Sequence, residues 1–262
     1  MKLGLSLLFA LSRPLREVLP DVLRRAHEEG VEVIELVDEG LHHIDGRRLR
    51  FLRRELGAWG FELAVHGPFV DMNIGSPHEP TRRLMLRRHL KSMEMASRLG
   101  ATTWVFHPGL LTGVSHFYPG IEWRQSIRSV RALLERAGEL GLRALIENGP
   151  EPVPFLLKRA EDFKAFFADL GPDVDLGLVF DVGHAYLCGQ VDDFLRELGH
   201  RVRHVHAHEN SGRADTHMAI GSGHISWPDV LAGLRAIGYR GPIVVESVQG
   251  VWESVRFLRG LL

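Results

Sequence analysis

Cysteine is nearly absent from this chain: Cys188 is the single one among 262 residues. One thiol cannot close an intramolecular disulfide, so a disulfide-stapled secreted fold is excluded and we expect a reducing compartment, the cytoplasm. A charge excess is missing as well, because 32 Lys and Arg residues face 33 Asp and Glu residues and the formal net charge is -1. Proteins that bind nucleic acid through phosphate contacts are usually basic, so the bulk charge does not suggest such a partner.

Long hydrophobic runs are also lacking, so we predict no membrane span. A short apolar stretch begins the chain, but one basic residue precedes it and no small-residue cleavage site follows, so we interpret it as a strand and not as a secretion signal. No linker, low-complexity segment or change in composition divides the sequence, which predicts one domain over residues 1–262. Histidine, by contrast, is abundant: the chain has 15, more than packing requires.

Apolar runs of four to eight residues alternate with longer amphipathic stretches, and Gly or Pro separates them. This order is typical of parallel strand–helix units. Eight such repeats predict an α/β fold with a single (β/α)8 TIM barrel, and a doubly wound open sheet is the alternative. The predicted strands cover residues 3–8, 31–37, 61–66, 102–107, 143–147, 176–181, 202–206 and 243–246.

Side-chain alternation along the strands supports a closed barrel. If His66 points inward, the two-residue period of a strand places Ala64 inside as well and turns Leu63 and Val65 outward against the helices. The same rule gives an inner set that is small or polar, which is typical of a barrel with a functional mouth. Its other members are Gly4, Ser6, Val105, His107, Val244 and Glu246.

Acidic residues and histidines occupy the last positions of six predicted strands. In an α/β barrel the carboxyl ends of all strands meet at one face, so these residues converge there. A further histidine follows the sixth strand, and an Asp-Thr-His segment follows the seventh. Imidazoles and carboxylates without thiolates are ligands for Zn²⁺, Mn²⁺, Co²⁺ or Fe²⁺, and several buried carboxylates need a cation to neutralise them. We therefore predict a metal centre built from His66, His107, Glu147, Asp181, His184, His206, Asp215, His217 and Glu246.

Two more histidines share the inward direction of His206. His204 is expected one layer below the metal centre and His208 above it. For both, we favour a structural role or an indirect role behind the ligands over direct metal binding.

Six motifs in order resemble the xylose-isomerase-like barrel superfamily, also known as AP endonuclease family 2. They are VHGPFVDMNIGSP, VFHPG, LIENGP, FDVGHAYLCG, HVHAHENSGRADTHMAIGSGHISW and IVVES. The superfamily includes sugar isomerases and epimerases, inosose-type dehydratases and apurinic endonucleases of the endonuclease IV class. The resemblance extends over nearly the whole chain and implies the same barrel.

The sugar branch implies one divalent ion, Zn²⁺ or Mn²⁺, held by Glu147, Asp181, His206 and Glu246. In that branch Glu147 and Glu246 also carry protons at the two sides of a substrate carbon atom. The resemblance further implies substrate contacts from His184, Glu209 and Arg213. We predict on this basis a metal-dependent isomerase or epimerase that acts on a sugar, sugar phosphate or related polyol. We expect no membrane partner, and the protein could form a homo-oligomer.

The endonuclease branch is the alternative, and it implies three zinc ions and a DNA partner. Its nine ligands all have counterparts here, the same nine residues named above for the metal centre. Two departures speak against it. The segment Glu147-Asn-Gly-Pro150 replaces the usual Glu-Asn-Thr-Ala-Gly type, and the residues that would wedge into DNA correspond to Phe69 and Val70 beside Asp71, whose charge repels phosphates.

Overall fold

The computed structural model describes residues 1–171 and 174–262. Within them, eight parallel strands pair in chain order, and the last pairs with the first to close a barrel. This confirms the (β/α)8 barrel and excludes the open sheet. The strands are β1 Lys2–Ser6, β2 Val33–Val37, β3 Glu62–His66, β4 Thr103–Phe106, β5 Arg143–Glu147, β6 Gly177–Asp181, β7 Val202–Ala207 and β8 Pro242–Val245.

Helices surround the barrel and bury their apolar stripes against it. Two long ones, α3 and α4, end at Gly100 and Gly141, whose positive φ values of 84° and 66° suit glycine at the end of a helix. None of the helices in the described residues has the length and apolarity needed to cross a membrane. The helices are α1 Leu15–Glu28, α2 Gly46–Gly57, α3 Glu79–Leu99, α4 Ile121–Leu140, α5 Ala160–Leu170, α6 Val182–Leu187, α7 Val191–Leu198, α8 Trp227–Ala236 and α9 Val251–Leu261.

The barrel has two apolar layers: the outer one follows the predicted alternation, whereas the inner side, predicted to be small or polar, also holds an apolar cluster. Outward side chains such as Trp104 and Phe106 belong to the large core between strands and helices. Val105, Leu145 and Val179 form a separate small cluster inside the barrel. This inner cluster lies one step below the residues at the strand ends and supports them from beneath.

The strand ends differ slightly from the prediction. β1 stops at Ser6, whose hydroxyl accepts a hydrogen bond from the Leu8 amide at 3.4 Å and so turns the chain out of the strand. His107 and Glu246 each lie one residue beyond β4 and β8, where the ladder has already ended. Both still belong to the carboxyl-terminal face of the barrel, so the predicted convergence is unaffected.

Candidate metal centre

Glu147 lies at the middle of the carboxyl-terminal face and is almost fully buried. One of its carboxylate oxygens, Oε2, is 3.2 Å from His66 Nε2 and 3.3 Å from His107 Nε2. The other, Oε1, is 3.3 Å from His206 Nδ1. A single carboxylate at the end of β5 therefore joins side chains from the ends of β3, β4 and β7.

Four residues from successive strands β5 to β8 form what we call the core cluster: Glu147, Asp181, His206 and Glu246. Each offers a ligand atom, and these atoms lie within 4.8 Å of one another. All four side chains are buried. His206 Nδ1 is 3.4 Å from Glu246 Oε2 and 3.9 Å from Asp181 Oδ2.

Two further clusters flank the core. The β3–β4 cluster consists of His66, His107 and the shared Glu147, and the loop cluster consists of His184, His208, Asp215 and His217. In the loop cluster, Asp215 Oδ2 is 3.2 Å from His184 Nε2 and 3.3 Å from His217 Nε2. All nine positions that the sequence analysis singled out therefore come together at one face, while their individual roles stay predictions.

Hydrogen bonding in the loop cluster fixes which ring nitrogens face Asp215. His184 Nδ1 is 2.8 Å from the Asn148 carbonyl oxygen and His217 Nδ1 is 2.9 Å from the Glu246 carbonyl oxygen, so each ring donates its N–H there. A neutral ring then has only a lone pair on Nε2, and both lone pairs face the Asp215 carboxylate. Either an extra proton on each ring or a metal ion must relieve this repulsion.

Buried polar atoms without partners mark the same places. Within the described residues, Asp181 Oδ2, His206 Nδ1 and Asp215 Oδ1 are buried and have no hydrogen bond. An unsatisfied buried carboxylate oxygen is costly, and a bound cation would satisfy it. The nitrogen and oxygen donor set without thiolate suits Zn²⁺ or Mn²⁺, so these residues fit a divalent metal.

We expect metal loading to release protons, and to do so in a way that the loop cluster dictates. Burial lowers the pKa of His184, but the carboxylates of Asp181 and Asp215 outweigh it and raise that pKa to about 10. The pKa of His217 is raised to about 9 by Asp215 in the same way, again against burial. At pH 8 these pKa values favour an extra proton on each ring, and an ion bound by the loop cluster would displace both.

Calorimetric titration with Zn²⁺ in buffers of different ionisation enthalpy measures this release. The binding affinity should also rise with pH up to the range of these two pKa values, because fewer protons then compete with the ion. A binding enthalpy at pH 8 that is the same in every buffer would contradict the expectation.

The sequence analysis missed Glu35. It lies in β2 and is fully buried, with Oε2 2.9 Å from His204 Nε2 and Oε1 3.1 Å from His206 Nε2. Burial raises the pKa of Glu35, but the two imidazoles overcome this and hold that pKa well below its usual value. A signal was available in the sequence, since Glu35 is a charged residue between the apolar Ile34 and Leu36 of a predicted strand.

The ring of His208 lies in direct contact with candidate metal ligands. Its Nε2 is 3.1 Å from Asp181 Oδ1 and 3.7 Å from Asp215 Oδ1. The ring occupies this place because residue 183 is glycine: a Cβ atom on Gly183 would lie 2.1 Å from His208 Cε1. His208 therefore connects the core cluster with the loop cluster.

Two of the residues predicted to contact the substrate, Glu209 and Arg213, do not line the cavity above the clusters. Glu209 is fully buried, and its carboxylate accepts hydrogen bonds from Trp227 Nε1 at 2.9 Å and from the amide of Gly221 at 3.3 Å. It holds the loop after β7 against the start of α8, a placement that does not fit substrate contact. Arg213 is exposed on that loop and does not line the cavity, whereas His184 does.

A cavity of about 440 Å³ opens above the clusters. Seven of its lining residues belong to the three clusters, and the other seven are apolar residues at or beyond the ends of the strands. The apolar residues include Phe69, Val153, Phe155 and Val248. The arrangement is a polar, metal-competent floor within apolar walls.

Comparison with known proteins places these features in a wider group. Residues 23–261 match the family described as "Xylose isomerase-like TIM barrel". The chain is 30% identical to the uncharacterized protein MJ1311 of Methanocaldococcus jannaschii over 94% of this chain and 84% of that protein. It is also similar to the crystal structure of a D-tagatose 3-epimerase-like protein, with 28% identity, a TM-score of 0.88 and coverage of 100% and 97% of the two chains.

Two relatives with named activities differ from each other in chemistry. Fructoselysine 3-epimerase of Escherichia coli O157:H7 is 25% identical over 72% of this chain and 67% of its own. A probable endonuclease 4 of Aquifex aeolicus is 27% identical over 62% of each chain. Similarity alone therefore does not choose between an epimerase and an endonuclease.

Proposed function

Because this chain belongs to the xylose isomerase-like TIM barrel family, we propose that it is a metal-dependent isomerase or epimerase that moves a proton at a carbon atom next to a carbonyl group. The observation that carries the proposal is the pair of glutamates in the core cluster. Glu147 and Glu246 both line the cavity, and both approach His206 Nδ1, at 3.3 and 3.4 Å. The likeness to epimerases in sequence and structure supports a sugar or polyol as the substrate.

The two carboxylates supply the acid–base chemistry. One removes the proton bound to carbon and the other returns a proton, which changes a configuration or shifts a carbonyl group. The core cluster would hold the divalent ion through Glu147, Asp181, His206 and Glu246. When bound, this ion would act as a Lewis acid for oxygens of the substrate.

Neighbouring side chains orient the substrate and keep water away. His184 donates Nδ1–H to the Asn148 carbonyl oxygen, so its Nε2 is the atom left to bind a substrate oxygen or an ion. The apolar walls exclude water from the carbon atom that exchanges its proton, which strengthens the electrostatic effects of the floor.

Wash-in of solvent deuterium tests the proposal. Protein loaded with Mn²⁺ or Zn²⁺ is incubated in D₂O with a panel of ketoses, ketose conjugates and inososes, and loss of one carbon-bound proton signal is followed by NMR. We expect exchange at a single carbon of at least one compound, and none after the metal is removed with a chelator. Loaded, folded protein that exchanges no proton in the whole panel would refute an isomerase or epimerase.

An apurinic endonuclease is the second candidate, and one observation favours it: all nine residues that such an enzyme uses come together in the three clusters. Against it, no Lys or Arg lines the cavity within the described residues, although DNA phosphates attract such side chains. Incision of a duplex with one abasic site, together with three zinc ions per chain, would replace the epimerase proposal by this one. No incision by zinc-loaded protein would exclude it.

A further inference from the structure

The lining of the cavity divides into two chemically distinct halves. Its seven polar residues all belong to the candidate metal clusters, and its seven remaining residues are all apolar. Within the described residues, the lining therefore contains no Lys or Arg to pair with a phosphate. It also contains no Ser, Thr, Asn, Gln or Tyr to bind hydroxyl groups away from the metal floor.

One aromatic wall is fixed by a glycine. A Cβ atom on Gly149 would lie 2.3 Å from Cδ2 of Phe155, so the ring of Phe155 can occupy its place only because residue 149 has no side chain. The loop around Phe155 is also hydrogen bonded to the loop after β4, where the Leu156 amide donates to the Gly109 carbonyl oxygen at 2.8 Å. The ring of Phe155 lies 5.4 Å from the ring of His107.

A second aromatic wall is held in place by a carboxylate. Glu39 Oε2 accepts hydrogen bonds from the amides of Phe69 at 3.0 Å and Val70 at 3.2 Å, which holds the loop after β3 over the cavity. The ring of Phe69 lies 5.7 Å from that of His107 and 5.4 Å from that of His66. The rings of Phe69 and Phe155 are thus both held close to His107, which belongs to the polar floor of the cavity.

Such walls discriminate among substrates that present the same oxygens to the floor. A phosphate or a row of hydroxyl groups would lose hydration against them without gaining a hydrogen bond or a counter-charge. An alkyl or aryl group would instead gain by leaving water and by contact with the rings.

We propose that the substrate is an uncharged hydroxy-carbonyl compound that carries an apolar substituent on the side away from the floor, such as a sugar conjugate, and is not a sugar phosphate. This inference rests on the proposed metal-dependent reaction. The apolar substituent lies between Phe69 and Phe155. The rings therefore set specificity, while the glutamates of the core cluster perform the chemistry.

Three hydroxamates test this on the metal-loaded protein, because a hydroxamate binds a divalent ion through two adjacent oxygens without being turned over. Acetohydroxamate, benzohydroxamate and phosphoglycolohydroxamate differ only in their methyl, phenyl or phosphate-bearing end. By calorimetry we expect benzohydroxamate to bind at least about tenfold more tightly than acetohydroxamate. Phosphoglycolohydroxamate should bind no more tightly than acetohydroxamate.

Variants connect the preference to the walls. Phe155→Ala should weaken benzohydroxamate binding by about fivefold and leave acetohydroxamate unchanged, because the phenyl group loses its contact surface. Phe69→Ala should act in the same direction and serves if Phe155→Ala fails to fold. Phe117→Ala is the matched control, since Phe117 is 75% exposed on a loop of the same face and does not line the cavity.

The outcomes separate this inference from the function on which it rests. Three outcomes overturn the inference that the substrate carries an apolar substituent. They are equal affinity for the three probes, tightest binding of the phosphate-bearing probe, and no binding of any probe. Metal-dependent binding without apolar preference leaves the isomerase or epimerase intact. Absence of carbon–proton exchange with every compound refutes that function, while the order of hydroxamate affinities still decides the chemistry of the walls.

Discussion

Glu147→Gln should abolish proton exchange at carbon, with a loss of about 10³-fold or more, and should lower the metal content of the purified protein. Glutamine has the shape of glutamate but neither its charge nor its basicity. Loss of a catalytic base alone typically costs 10²- to 10⁴-fold in rate. Here the same residue also joins the core cluster to the β3–β4 cluster through its two oxygens, so metal binding weakens in both.

The measurement combines deuterium exchange with elemental analysis of the metal per chain. Glu246→Gln is the informative comparison, because Glu246 belongs to the core cluster and not to the β3–β4 cluster. It should lose exchange but lose less metal than Glu147→Gln. Glu139→Gln, an exposed position on α4 paired with Arg136, is the control that should keep both properties. Full exchange with normal metal content in folded Glu147→Gln protein would refute the assignment.

Glu35→Gln should weaken metal binding by about 10- to 100-fold without removing a ligand. His206 Nε2 lies 3.1 Å from Glu35 Oε1, and a carboxylate there keeps the proton on Nε2, which leaves the lone pair of Nδ1 for the core cluster. A glutamine amide can turn its NH₂ group toward Nε2 and favour the other tautomer. Glu35 is therefore a positioning residue for His206.

Competition with a chromophoric chelator measures this affinity. Loss of a buried carboxylate can lower stability as well, so the control variant must also replace a buried carboxylate. Glu122→Gln is that control, because Glu122 is equally buried at the start of α4. Its carboxylate accepts a hydrogen bond from the Thr112 hydroxyl and lies outside the three clusters. Glu122→Gln should leave metal affinity unchanged. Wild-type affinity in folded Glu35→Gln protein would show that Glu35 only fills space.

The fold and the gathering of the site residues followed from simple rules. The period of two along each strand fixed which residues point inward, and the topology of a parallel barrel brought the strand ends to one face. His66, Glu147 and Asp181 could be placed in this way because each ends a strand that the apolar pattern delimits. For these residues, position in the chain already implied position in the fold.

Other residues depend on contacts that a linear pattern does not contain. Glu35 meets His204 and His206 across the interior of the barrel, at 2.9 and 3.1 Å. Only the closed arrangement of strands brings side chains of β2 and β7 this close. Glu209 lies two residues beyond β7, but its loop folds back on α8, so its carboxylate accepts the hydrogen bond of Trp227 Nε1. The place of the His208 ring depends on the space that Gly183 leaves, a contact between residues far apart in the chain.

The hydrogen bonds of Asp181 determine how many atoms this site can give to an ion. Its Oδ1 already accepts from the His184 amide at 2.7 Å and lies 3.1 Å from His208 Nε2, so only Oδ2 is free. Glu147 turns one oxygen to the core cluster and the other to the β3–β4 cluster. Each of these carboxylates would therefore give one oxygen to an ion held by the core cluster. Such low denticity leaves an ion that favours six ligands with coordination capacity for oxygens supplied from the cavity.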